Sequence, residues 1–201
     1  MTGEGYHIVV AKVTSLEDEK NLGRIQVEFH NLGKVRSGWC PMVSPMAGDG
    51  RGFVFRPEVG DHVLVATLFG DVNQGFILGG IHSASQKQPA GDGKPADNNL
   101  RYIQSRSGHR IVLDDTKGKE RIEVVDRDGT RRVVIDTGNK KIRVICDSGD
   151  VEVEAGDGNV SVKGGKAVTL EGQSVTVKAA ADLTVQAGGT LTLKGATVNI
   201  N

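Results

Sequence analysis

The chain has 201 residues, enough for one large domain or two small ones. Lys plus Arg and Asp plus Glu are balanced at 25 each, so no surplus of cations exists to hold a polyanion, and nucleic acid is not an expected partner. No apolar run approaches the roughly 20 residues that cross a bilayer as a helix, and the start Met1-Thr2-Gly3-Glu4-Gly5 lacks the basic and apolar stretches of a secretory signal. Two cysteines, Cys40 and Cys146, make no disulfide scaffold and fit synthesis in a reducing compartment.

The two halves use different alphabets. All five prolines lie at or before Pro95, and of the eight aromatic residues only Tyr102 follows Phe76. Residues 1–81 read as a small all-β domain. Tyr6–Val13 is β-prone, and Arg24–Phe29 alternates polar and apolar residues, the period of a half-buried strand. Asp61–Phe69 is more apolar, as a central strand would be, and Gly75–Ile81 supplies another. Turn residues separate them at 20–23, 48–50, 57–61 and 70–73. Short strands without a helical period predict a closed barrel of the OB type, since a small open sheet leaves its edges unprotected. Residues 82–100 carry almost nothing apolar and read as a linker stiffened by Pro89 and Pro95.

Residues 101–201 carry a repeat. Aliphatic pairs two residues apart recur at Ile111/Leu113, Ile122/Val124, Val133/Ile135, Ile142/Val144, Val151/Val153, Val160/Val162, Val168/Leu170, Val175/Val177, Leu183/Val185, Leu191/Leu193 and Val198/Ile200. A polar residue stands inside each pair, and Gly, Asp, Asn, Ala or Lys fill the gaps, so each unit is one short strand and a corner. Each strand offers two aliphatic side chains on one side, with no aromatic or helix to cover them. A three-sided prism with these side chains on its axis solves the problem. One chain can wind it alone, or three chains can intertwine, each giving a strand per layer. Three chains is the simpler arrangement, because no capping element closes the end at Leu191–Asn201. On that geometry the ladder bonds run largely between chains, and about eleven layers spaced by ~4.8 Å give a stiff rod on the order of 50 Å long.

The chemical signals are weak. His7, His30, His62, His82 and His109 are scattered, Asp114-Asp115 reads as a turn, and Glu17-Asp18-Glu19 as a solvated loop. Gly48-Asp49-Gly50-Arg51-Gly52 lacks the following Lys and helix of a phosphate loop. Cys40 reads as a buried small residue, Cys146 as facing the prism axis, and Trp39 as either barrel core or part of a docking contact. No catalytic residue, metal or cofactor is expected.

Four blocks carry a resemblance: Gly23-Arg24-Ile25-Gln26-Val27, Trp39–Gly48, Gly52–Val65 and Phe69–Gly80. Their order and spacing resemble the baseplate-assembly OB domain of the spike proteins of contractile injection systems. These include phage tail spikes, type VI secretion VgrG proteins and extracellular tail-like particles. Ser105–Ile122 resembles the segment that opens the β-helix in that family, and His62 stands where an acidic residue is expected in many relatives.

The resemblance implies an all-β chain: an N-terminal OB-fold barrel followed by an intertwined trimeric triple-stranded β-helix needle. It implies a homotrimer whose OB domain sits on a separate baseplate hub protein and whose needle contacts and pierces the target membrane. The chain is then a minimal spike, made in the bacterial cytoplasm and driven into the target envelope on contraction. The expected trimer core is Ile122, Val124, Val133, Ile135, Ile142, Val144, Val151, Val153, Val160, Val162, Val168, Leu170, Val175, Val177, Leu183, Val185, Leu191 and Leu193. A PAAR-type tip protein is expected to cap the end at Val198, Asn199, Ile200 and Asn201, adding onto the last strands. The competing reading is a monomeric β-solenoid adhesin, or an OB module binding glycan or single-stranded nucleic acid. Such modules stack bases or sugars on exposed aromatics and use basic residues. Here residues 1–100 hold nine Lys plus Arg against eleven Asp plus Glu, and Phe29, Phe53, Phe55, Phe69 and Phe76 sit in core-like contexts.

Overall fold

The computed structural model describes residues 7–89 and 94–200. Tyr6 of the first predicted strand, residues 90–93 of the predicted linker and Asn201 of the predicted tip contact lie outside the described residues. The regular elements of the described chain are twelve strands and two short 3-10 turns, and the chain divides into two compact units, Met1–Ser148 and Gly149–Asn201.

The first sheet is built from β1 (His7–Ser15), β2 (Gln26–Phe29), β3 (Val35–Arg36), β6 (His62–Thr67) and β7 (Gly75–Gly80), in the order β3-β2-β1-β6-β7. All its pairings are antiparallel. β6 takes a central place because its residues are apolar on both faces, as the sequence pattern suggested. The segment after β3 closes the sheet on itself. Cys40 exchanges both backbone bonds with Ile25 at 2.8 Å, while Ile77 donates to Pro41 O and accepts from Val43 N. The inward residues Ala11, Val13, Ile25, Val27, Phe29, Cys40, Val63, Val65 and Ile77 form one dry core. Burial pushes the Cys40 thiol pKa up, leaving it a small apolar group. An arm of β4 (Ala47–Gly48) and β5 (Arg51–Gly52) leaves this barrel. Gly52 sits at φ +154°, and a Cβ there would lie 2.6 Å from Met46 O, so only glycine fits the arm's return strand.

Two local readings from sequence need correction. Asp18 is not solvated: it is buried, with both carboxylate oxygens filled. The Arg24 guanidinium donates to them at 2.5 and 2.9 Å, and the backbone N–H groups of Lys20, Leu22 and Arg24 donate at 3.1–3.3 Å. Five donors need a carboxylate at that one place, which a charge run read residue by residue hides. Of the five phenylalanines only Phe29 is core; Phe53, Phe55, Phe69 and Phe76 are exposed. Phe53 and Phe55 alternate with Val54 along the arm, where no second layer exists to cover them.

A second sheet follows within the same unit: β8 (Leu100–Gln104), β9 (Arg110–Asp114), β10 (Arg121–Val125), β11 (Arg131–Asp136) and β12 (Lys141–Cys146), each antiparallel to the next. Tight turns join them, with Gly108, Gly118 and Gly129 at positive φ. The sequence reading placed ladder bonds largely between chains. For β8–β12 this is corrected: their turns are short enough to close hairpins, so the ladder runs within one chain.

In the second unit the described backbone forms no helix or strand, and it bends at 156–158, 165–166, 173, 180–181, 188–189 and 196. One aliphatic pair stands between each bend and the next, from Val151/Val153 to Val198/Ile200. Among the described residues of 149–200 no strand pairing forms within the chain, and every residue is exposed.

Candidate assembly interface

The cross-strand registers of the second sheet gather its aliphatic residues into two rows. Ile103, Ile111, Val124, Val133 and Val144 face one another in turn across all five strands. Leu113, Ile122, Ile135 and Ile142 make the second row, which ends at Arg101 on β8. Since side chains alternate along a strand, both rows lie on one face. Every member is exposed, from 43% at Ile135 to 74% at Ile142. Of the expected trimer core, Ile122, Val124, Val133, Ile135, Ile142 and Val144 are thus brought onto a single surface. The members from Val151 to Leu193, with Val198, Asn199 and Ile200 of the expected tip contact, stand exposed along the second unit. Cys146 shares the parity of Ile142 and Val144 and pairs in register with Arg131.

The opposite face has other chemistry. Asp114, Arg121, Asp136 and Lys141 form one row across it, and Val112, Glu123, Val134 and Arg143 form the next. Arg121 bridges Asp114 at 3.2 Å and Glu123 at 3.4 Å, and Arg143 reaches Asp136 at 3.4 Å. Under these side chains Val112, Val125 and Val134 are buried. Hydrogen bonds from the hydroxyl and amide of Thr116, with Arg121 nearby, hold the Asp114 carboxyl below its usual range. Asp114 is therefore a buried ion-pair partner at the end of β9, while Asp115 is exposed. The sheet has one face finished with paired charge and one that is aliphatic apart from Arg101, Arg131 and Cys146 at its margins.

The barrel carries two further exposed apolar surfaces that sequence reasoning missed. Ile8 and Val10 on β1 and Phe76 and Leu78 on β7 point away from the core, flanking Leu64 and Ala66 of β6. Their signal was apolar residues at both parities, in Ile8-Val9-Val10-Ala11 and Phe76-Ile77-Leu78. On the arm the rings of Phe53 and Phe55 stack with centroids 6.3 Å apart. Ile103 was missed because its partner two residues earlier is Arg101, which breaks the pair pattern. Trp39 is half-buried beside the barrel closure. Among the described residues no group of three or more His, Cys, Asp or Glu could hold a metal, and no helix is long and apolar enough to cross a membrane.

The described chain thus combines a closed β-barrel with a sheet whose one face is uncovered. Residues 9–82, the barrel, match the family described as the Type VI secretion system/phage-baseplate injector OB domain. Over 113 residues, 51% of this chain, the sequence is 32% identical to the Type VI secretion system spike protein VgrG4b of Pseudomonas aeruginosa. That match spans 14% of the relative's length. Together the two matches support a VgrG-like baseplate spike.

Proposed function

We propose that the chain is one of three identical subunits of the central spike of a contractile injection machine. The aliphatic rows of three copies meet on a common axis, and the aliphatic pairs from Val151 onward continue that core as a triple-stranded β-helix needle. The barrel docks on the baseplate hub. The last strand around Val198–Ile200 receives a PAAR-type tip protein, and the assembly is pushed through the target envelope without a chemical step. This places the protein in an assembled tail-like particle.

One observation carries the reading: nine aliphatic side chains in two unbroken rows face solvent on a sheet whose other face is closed by ion pairs. Fully burying one such side chain is worth about 1.5–3 kcal/mol, so half-exposed ones return about 1 kcal/mol each, on the order of 10 kcal/mol per copy for this sheet. That is comparable with the cost of lost translational and rotational freedom on association. Residues 151–200, which form no strand pairing within the chain, add further aliphatic pairs and backbone N–H and C=O groups that a ladder between copies would satisfy.

The adhesin or ligand-binding OB reading loses one of its counter-arguments, because Phe53 and Phe55 are exposed rather than core. They stand on an arm, however, and the acidic balance of residues 1–100 still disfavours a polyanion.

The test is a double variant, Val124→Asp with Val133→Asp, two residues opposed in the first row. Its assembly should fall from three copies to one. The control Arg143→Gln on the charged face should keep three. A double variant that assembles as the unmodified chain does would overturn the proposal.

A further inference from the structure

Residues 82–89 have the composition of a loose linker, yet they are tied at both ends. Ser83 and Gln86 form a closed turn in which each donates its backbone N–H to the other's carbonyl, at 2.9 and 3.2 Å, and Ser83 Oγ takes a second bond from Gln86 N at 3.1 Å. The turn presents the Gln86 side chain to the barrel loop Gly60–His62. Gln86 Oε1 accepts from His62 N at 2.9 Å and lies 3.0 Å from His62 Nδ1. Gln86 Nε2 donates to Gly60 O at 2.9 Å and to Asp61 Oδ1 at 3.4 Å. A primary amide has two lone pairs and two N–H groups, and all four are used when His62 Nδ1 carries the ring proton. Beyond the turn, the Tyr102 hydroxyl of β8 donates to Pro89 O. A third tie crosses directly: Arg106, in the turn after β8, reaches Glu58 at 3.2 Å, although as an exposed ion pair it contributes little.

We propose that this connector is a strap that fixes the barrel to the sheet β8–β12, with Gln86 as the positioning residue, so that the two move as one body. The amide is specific to the task. A carboxylate at position 86 would have no N–H for Gly60 O and would face the Asp61 carboxylate, while alanine would release all four bonds. The strap is a property of the single chain. Its use, carrying a push from barrel to needle without a hinge, rests on the spike reading; the tie itself does not.

Trp39 is the one tryptophan and sits in the barrel, so it reports barrel motion without a label. Time-resolved fluorescence anisotropy of the full chain should decay with the slow rotation of the whole assembly, whatever its copy number. Gln86→Ala, Gln86→Glu and Tyr102→Phe should each add a faster component from independent barrel motion. Tryptic cleavage after Lys87 should accelerate about tenfold in the Gln86 variants, as local protection is lost. Hydrogen exchange of the β2 amides should stay slow, showing an intact barrel. If the Gln86 variants loosen β2 as well, Tyr102→Phe, which lies outside the barrel, decides by the same readout. A fast component already present in the unmodified chain, or decays unchanged in every variant, would overturn the strap.

Discussion

Asp18 is the residue whose chemistry differs most from its neighbours'. The Arg24 guanidinium, then the backbone N–H groups of Lys20 and Arg24, hold its carboxyl far below the ordinary value of 3.8. The sign follows from linkage. A carboxylate with a depressed folded-state pKa adds stability above its unfolded pKa, and loses it as pH falls through that value toward the folded one. The barrel should therefore lose stability below about pH 4, in part through Asp18. Asp18→Asn keeps the shape but removes the charge from Arg24. We predict a melting temperature lower on the order of 5 °C at pH 7, and a shallower fall between pH 4 and pH 2 than in the unmodified chain. Melting curves across that range check both. A variant as steep as the unmodified protein would show that the acid sensitivity lies elsewhere. At Gly75 the constraint is steric: an added Cβ would lie 2.8 Å from Cys40 Sγ and 3.1 Å from Val65 Cγ1. Gly75→Ala should cost about 1–3 kcal/mol by overpacking, read as a lower denaturant midpoint with an unchanged slope.

At the scale of elements, the second sheet is held together within one chain by its hairpins, so exposing its aliphatic rows and folding it are separate matters. The Val124→Asp and Val133→Asp changes should spare β9–β12 as strands, by circular dichroism, while removing the assembly. How much of this was legible follows from periodicity. Strands β1, β2, β6 and β7 and the aliphatic pairs were legible because an alternation of two residues is visible without knowing any partner. Asp18 was not, because its donors come from a loop whose backbone path no pattern encodes. The exposed phenylalanines were misread because hydrophobicity states a preference for burial, not the presence of something to bury against. The hairpins β9–β12 were read as interchain layers because a pair of aliphatic residues looks the same in either ladder. The gaps separate them only in part: pair starts are eleven residues apart from Ile111 to Val133, but the β11–β12 hairpin has a gap of nine, which also recurs after it.

At the scale of the whole molecule, both units need what a single copy does not supply. Among the described residues the sheet lacks a cover for its aliphatic face, and residues 151–200 form no strand pairing within the chain. On the proposed arrangement a rotation axis passing along these rows would satisfy every copy equally, giving a closed symmetric assembly rather than an open chain of contacts. The direct measurement is the absolute mass of the full chain in solution by light scattering coupled to size exclusion. A single species of three times 21.3 kDa that persists on dilution is expected. A folded species of 21.3 kDa would contradict it.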